Sequence, residues 1–427
     1  MIKVYIVDLI DKKRNNLKLS KEEIKYIIDS YVNGEIKDYQ MSSLLMAICI
    51  NGLDSEETCN LTECMLKSGK SIDLTDVPGI KVDKHSTGGV GDKTTLIVAP
   101  IVASLGIPVA KMSGRSLGYT GGTIDKLESI PGFKVDYSTD EFIEQVKRIN
   151  ICISTSTSDL APADKKIYAL RDVTGTVSSK SLIAASIMSK KLATGADKIL
   201  LDVKYGEGAL LKSKEEAIDL AKLMVYIGNS HGKETRALIT NMNYPLGYAV
   251  GNALEIKEVI DVLNNKGNKD LRDLCVVLAT YMVSMAKNMD FVSAQGEVLK
   301  ALRTGIAYQK FLEFVGIQKG DLTKLGVSSN VKEIKTDKSG YINHIHALKI
   351  AEFALKLGSG RTSKEDIIDM GVGIQITKNI GDYVNAGDVI AKVYIGNKEI
   401  NYSEVLTAFE IDDNKKDKEP IIYGIIK

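Results

Sequence analysis

Two glycine clusters lie within residues 81–125, each set among hydroxyls and cations. The first, KVDKHSTGGVGDKTTL at residues 81–96, brings Lys84, His85, Ser86 and Thr95 together with Gly88, Gly89 and Gly91. The second, KMSGRSLGYTGGTID at residues 111–125, carries Lys111, Ser113, Arg115 and Thr123. Between a strand and a helix, such a loop turns several backbone N–H groups toward an anion, and glycine permits the close approach and positive φ this requires. A phosphate or phosphate-like group suits the mixture of cation, hydroxyl and N–H donors. Two common nucleotide motifs are excluded. Asp92 separates Gly91 from Lys93, where a Walker loop needs Gly-Lys in succession, and Thr94 stands where the third glycine of G-x-G-x-x-G would fall. One cluster alone reads equally as a tight, ligand-free turn. Two of them, each after a short apolar run, point to strand ends converging on one anion.

Of the four histidines only His85 sits inside a glycine loop, which favours a catalytic role over that of a hydrogen-bonded structural histidine. His344 and His346 have no third metal ligand nearby in sequence. A third stretch, APADKKIYALRD at 161–172, leads to SLIAASIMSKKL at 181–192, where Ser186 and Lys190 are four apart and share a helix face. On residue types alone, Lys190 and Lys191 read as a solvated helix end and Arg171 as the partner of a carboxylate.

Elements must place these groups. Ser20 with Glu23, and Asp54 with Glu57, mark capping boxes ahead of apolar positions at helical spacing, so residues 20–69 read as an array of helices. From 80 to 240 short apolar runs (VAKM, KILLDVK, RALIT) alternate with helical stretches, the pattern of βα units and a largely parallel sheet. Residues 253–315 return to helix. From about 331 the text is glycine-punctuated and strand-rich, and GVGIQITKNIGDYVNAGDVIAKVYI resembles a small lipoyl-like or hammerhead β-unit without a modifiable lysine at a suitable turn tip, hence a scaffold.

The 427 residues imply two or three domains. Apolar residues make up 44 % and charged ones 26 %, as in ordinary globular protein, and a net charge of +1 without a basic run gives no footprint for nucleic acid. Five scattered cysteines without a CxxC pair argue against a disulfide framework or a zinc site. No apolar run approaches the ~18 residues of a membrane span. The expectation is a cytoplasmic protein without a membrane partner.

The segments KHSTGGVGDKTTL, MSGRSLGYTGGTIDKLESIPGF, APADKKIYALRDVTGTV and SIMSKKL together resemble the thymidine and pyrimidine-nucleoside phosphorylases, in order and spacing. That resemblance implies an α/β fold in which a helical base-binding domain (residues 1–66 and 162–194) faces a larger phosphate-binding α/β domain (75–161 and 195–330) across a hinged cleft, followed by a strand-rich unit at 331–427. It implies reversible phosphorolysis of uridine, deoxyuridine or thymidine, with inorganic phosphate as co-substrate, no organic cofactor, and a homodimer. Residue by residue, it assigns phosphate to Lys84, Ser86, Thr95, Lys111, Ser113 and Thr123. The base falls to His85, Tyr168, Arg171, Ser186 and Lys190, with Leu117 and Ile183 as apolar walls, and His85, Arg171 and Lys190 as the catalytic group. This reverses the plainer reading of Arg171 and Lys190.

Several positions depart from the family text: Ser116 stands for a glycine, Tyr119 for a histidine and Gly175 for an alanine, and KYGEGAL replaces KxGxGAF. Family members from bacteria hold a potassium ion at positions matching Gly91, residue 93, Leu246, Ala249 and Glu258. There residue 93 is threonine; here it is Lys93, whose ammonium would stand in the ion's place and pair with Glu258. Two other readings stay open. One is a magnesium-dependent phosphoribosyltransferase of the anthranilate type; the other is a non-catalytic nucleoside-binding homologue, against which the retained Lys84, His85, Arg171, Ser186 and Lys190 speak.

Overall fold

The computed structural model describes residues 5–115, 121–156, 159–363, 365–398 and 400–427. The first helices begin where their caps dictate. Ser20 Oγ accepts from Glu23 N–H while the Glu23 carboxylate accepts from Ser20 N–H, and helix Lys21–Val32 follows; Asp54 and Glu57 repeat the exchange ahead of helix Ser55–Lys67. Each box satisfies two N–H groups that the first turn leaves without partners. With helices Ile6–Arg14 and Asp38–Asn51 they bury Ile24, Ile27, Ile28, Met41, Leu44 and Met65. Ile167 and Leu182 join the same core from helices Pro162–Thr174 and Lys180–Ala193, so two segments distant in sequence form one helical body.

Strands Val82–Ser86, Lys198–Tyr205 and Glu234–Asn241 form a parallel ladder, and Ile422–Ile426 adds antiparallel to the outer edge of Glu234–Asn241. Strands Val109–Ser113 and Ile151–Thr155 pair in parallel. They flank the other side of Val82–Ser86, where Val82 N–H donates to Pro108 O at 3.2 Å and Asp83 meets Lys111. Strand Val82–Ser86 therefore lies where the strand order reverses, with later strands laid down first on one side and then on the other. Open α/β sheets take ligands outside the carboxyl ends of strands at such a reversal. Ile199, Leu200, Leu201 and Val203 are fully buried, as expected of a strand covered on both faces.

Downstream, the strand-rich part forms two antiparallel sheets, one of four strands that includes Ala249–Val250 from the α/β body and one of three. A polar joint adds to that tie. His346 Nδ1 lies 3.0 Å from Glu207 and its Nε2 2.9 Å from Glu410, with His344 Nε2 3.6 Å from Glu207. The sequence offered these histidines no third partner nearby; folding supplies Glu207 from the turn after strand Lys198–Tyr205.

Three segments cross between the helical and α/β bodies, and they touch. Lys70 N–H donates to Asp159 O at 2.9 Å, Ile72 N–H to Ala193 O at 2.8 Å, and Ala163 N–H to Ser68 Oγ at 3.1 Å. A Cβ at Gly69 would stand 2.2 Å from Asp159 O, and one at Gly195, whose φ is +80°, 2.3 Å from Ile72 O, so the crossing requires glycine at both. Among the described residues no helix is long and apolar enough to cross a membrane.

Candidate active site

Lys84, His85 and Ser86 end their strand at the reversal point and run into the loop 87–93, after which helix Thr94–Ser104 begins. Lys84 is buried, its Nζ 2.5 Å from Thr94 Oγ1 and 3.4 Å from Asp202. Ser86 Oγ–H donates to Asp92 and accepts from Gly88 N–H at 3.1 Å, while Asp92 accepts from the N–H and hydroxyl of Thr94. Burial opposes charge on Asp92, but Lys204, Lys84 and these hydroxyls more than offset it and hold the carboxyl far below its usual range. Ser86 and Lys84, expected as phosphate ligands, thus also shape the loop itself. Thr95 is buried one residue inside the helix.

Lys111 lies on the neighbouring strand, which ends at Ser113, and Thr123 is the first residue of helix Thr123–Glu128. The Lys111 ammonium is 3.7 Å from Asp83, which also takes the Lys191 ammonium at 2.7 Å. Burial pulls the Lys111 pKa down to about 7 against the attraction of Asp83, and Lys191 and Lys84 push it the same way as burial. Lys111 and Lys191 share the one fully buried Asp83, which leaves an excess of positive charge on the strand end that carries His85. Burial first, then Lys191, Lys111, Lys190 and Lys84, holds the imidazole well below its ordinary pKa, so His85 is neutral at pH 7. It offers one ring N–H as a donor rather than a ready proton.

On the helical side Lys190 Nζ contacts Asp164 and lies 3.0 Å from Ser186 Oγ, as the four-residue spacing predicts. The half-exposed Tyr168 ring has the Lys190 ammonium 5.9 Å and the Arg171 guanidinium 5.8 Å from its centroid. Ile183 is buried in the helix behind. Arg171 is anchored by backbone carbonyls. It is 1 % exposed and donates to Thr176 O, Val177 O and Leu182 O at 3.3, 2.7 and 3.1 Å, closing the turn between the two helices. Three of its five N–H groups are committed there, one on each nitrogen, leaving one on each terminal nitrogen. Leu117, with Ser116 and Tyr119, lies outside the described residues.

The residues matching a potassium site do not fit an ion. Lys93 Nζ itself lies 3.0 Å from Leu246 O, 2.9 Å from Ala249 O and 2.6 Å from Glu258, and a Cβ on Gly91 would meet Leu246 O at 2.6 Å. The ammonium takes the oxygens an ion would need.

Residues 79–308 match the family model described as the glycosyl transferase family, a/b domain; residues 7–69 match its helical bundle domain, and 341–411 the pyrimidine nucleoside phosphorylase C-terminal domain. A pyrimidine-nucleoside phosphorylase of Geobacillus stearothermophilus is 50 % identical over 403 residues, 93 % of each chain. The chain belongs to the pyrimidine-nucleoside phosphorylase family. The Bacillus subtilis (strain 168) pyrimidine-nucleoside phosphorylase is 48 % identical over 408 residues, 94 % of each chain. Among solved structures, anthranilate phosphoribosyltransferase from Thermus thermophilus matches with a TM-score of 0.57 at 17 % identity, covering 73 % of this chain and all of that one, a likeness of fold alone.

Sequence reading of this pyrimidine-nucleoside phosphorylase family member missed the acids. Asp83, Asp164 and Asp202 are buried and hold Lys111 with Lys191, Lys190, and Lys84 with Lys204 respectively. One oxygen of each has no hydrogen-bond partner, though Asp83 Oδ1 and Asp202 Oδ2 face ammonium groups as ion pairs. The available signal was a lone acid inside an apolar run, as in KILLDVK.

Proposed function

We propose that this protein catalyses reversible phosphorolysis of pyrimidine nucleosides, giving free base and ribose or 2-deoxyribose 1-phosphate, with uridine, deoxyuridine and thymidine as substrates. A phosphate oxygen bonds to the anomeric carbon, the bond from that carbon to the base nitrogen breaks, and the pyrimidine departs with its electron pair. The observation that carries this reading is that Asp83, next to Lys84 and His85, holds both Lys111 and Lys191, which brings the adjacent Lys190–Ser186 pair up to the lysine-rich strand end.

Lys84, Lys111, Ser86, Ser113, Thr95 and Thr123, with loop N–H groups, hold phosphate behind the anomeric carbon, a positioning task. Lys190 and the remaining N–H groups of Arg171 stabilise charge growing on the departing base. Ser186 and Tyr168 orient the ring, with Leu117 and Ile183 as walls. The His85 N–H donates to the 2-carbonyl, and donor assistance of this kind is typically worth ~10²- to 10⁴-fold.

The enzyme works as a homodimer in the cytoplasm. Tyr39, Met46 and Ile50 recur on one face of helix Asp38–Asn51 and are exposed, an apolar stripe suited to a second copy. Base release from each nucleoside, assayed with and without phosphate and magnesium, tests the reaction. Phosphate-dependent, magnesium-independent release is expected; a magnesium and diphosphate requirement would favour a phosphoribosyltransferase.

A further inference from the structure

Lys93 is buried to 1 % exposure, and its three N–H groups meet three oxygens: Leu246 O, Ala249 O and Glu258 Oε2. The carboxylate is itself built in, accepting from Tyr248 N–H at 2.6 Å and Ala249 N–H at 2.9 Å. Gly247, at φ +84°, wraps so closely that a Cβ would stand 2.6 Å from Glu258, and Leu246 N–H reaches back to Val90 O at 3.0 Å. Two carbonyls and a carboxylate form the all-oxygen set that binds a hard cation. Here the cation is covalently part of the chain.

We propose that Lys93 is a tethered cation that makes the phosphate loop of this enzyme independent of monovalent metal ions. A bound ion stabilises a fold by mass action, so its effect follows the ion's concentration and identity. A tethered ammonium escapes that dependence because its local concentration is fixed by the chain. Its position makes the grip matter. Lys93 is the residue before helix Thr94–Ser104 and directly follows Asp92, which holds Ser86 and Thr94, and Thr94 in turn meets Lys84. Pinning Lys93 to the 246–249 loop therefore fixes the backbone that positions the phosphate donors, and the kinetic arm of the test rests on the phosphorolysis reading.

The test compares wild type with Lys93→Thr and Lys93→Met in potassium, sodium and choline chloride at constant ionic strength, reading Tm and the KM for phosphate supplied as its choline salt. Wild type is expected to show the same Tm and a phosphate KM within about twofold in all three salts. Lys93→Thr, which opens space and supplies an oxygen, is expected to lose Tm and raise the phosphate KM in choline and to recover both in potassium. Lys93→Met, which fills the space without charge, recovers in none. A potassium-dependent rise in wild-type Tm would overturn the proposal, as would a Lys93→Thr enzyme matching wild type in choline. If Lys93→Thr does not fold, the wild-type salt series decides; if no nucleoside is cleaved, the Tm series still does.

Discussion

Lys190 draws its geometry from a single acid. Asp164, 4 % exposed, holds the ammonium beside Ser186, so the charge we assign to the departing base would be aimed before substrate arrives. Replacing Lys190 by Ala is expected to cost about 3 kcal/mol in kcat/KM, roughly 10²-fold, and steady-state kinetics with uridine would show it; near-normal turnover would remove Lys190 from the chemistry. Asp164→Asn keeps the size and removes the charge, and should lower kcat more than it raises KM. Lys111 adds a pH dependence. With its pKa near 7 in the free protein, the amine is increasingly neutral above that pH, whereas a phosphate dianion favours the charged form. Phosphate binding should therefore take up a proton near pH 8, and affinity should fall above pH 7 by up to tenfold per unit. Calorimetry in two buffers of different ionisation enthalpy measures that uptake, and its absence would exclude Lys111 from the phosphate site. Cations and hydroxyls were legible in the sequence because they cluster in glycine loops. Their acids were not, since Asp83, Asp164 and Asp202 come from separate elements and meet the lysines only after folding.

Helix starts and parallel strands follow from local rules, and the capping boxes at Ser20 and Asp54 needed no tertiary information. Contacts between crossing segments do. Nothing in the text around Gly69 or Gly195 says that another backbone passes within a Cβ radius, because close approach is a property of two chains meeting. Any rotation of one body against the other would have to be absorbed at those crossings. Gly195→Ala is expected to destabilise by about 1–3 kcal/mol and to change kcat and KM together. Gly232→Ala is the control, since Gly232 has φ +70° but open space around it, so only the left-handed backbone is penalised. Denaturant midpoints for the two variants measure the steric part; equal values would mean that the crossing gives way freely. The Glu207–His346–Glu410 joint belongs to the same class. His344 and His346 showed no partner in sequence because theirs come from the α/β body and from a later strand.

For the whole molecule the exposed stripe of Tyr39, Met46 and Ile50 predicts self-association. Ile50→Lys should convert a dimer to monomer by sedimentation with little loss of Tm in the monomer, and a monomeric wild type at micromolar concentration would sink that idea. The order of strands has a consequence for synthesis. Strand Glu234–Asn241 is bounded on its outer edge by Ile422–Ile426, so the sheet carrying Lys84 and Asp202 has that long apolar strand as its edge until the ribosome has delivered residue 426. Throughout that interval the nascent chain carries an apolar strand with unpaired N–H and C=O groups, a template for pairing with neighbouring chains on the same message. Once made, Ile422–Ile426 covers that strand and becomes the sheet's edge in its place, so a buried edge of eight residues gives way to a shorter one of five.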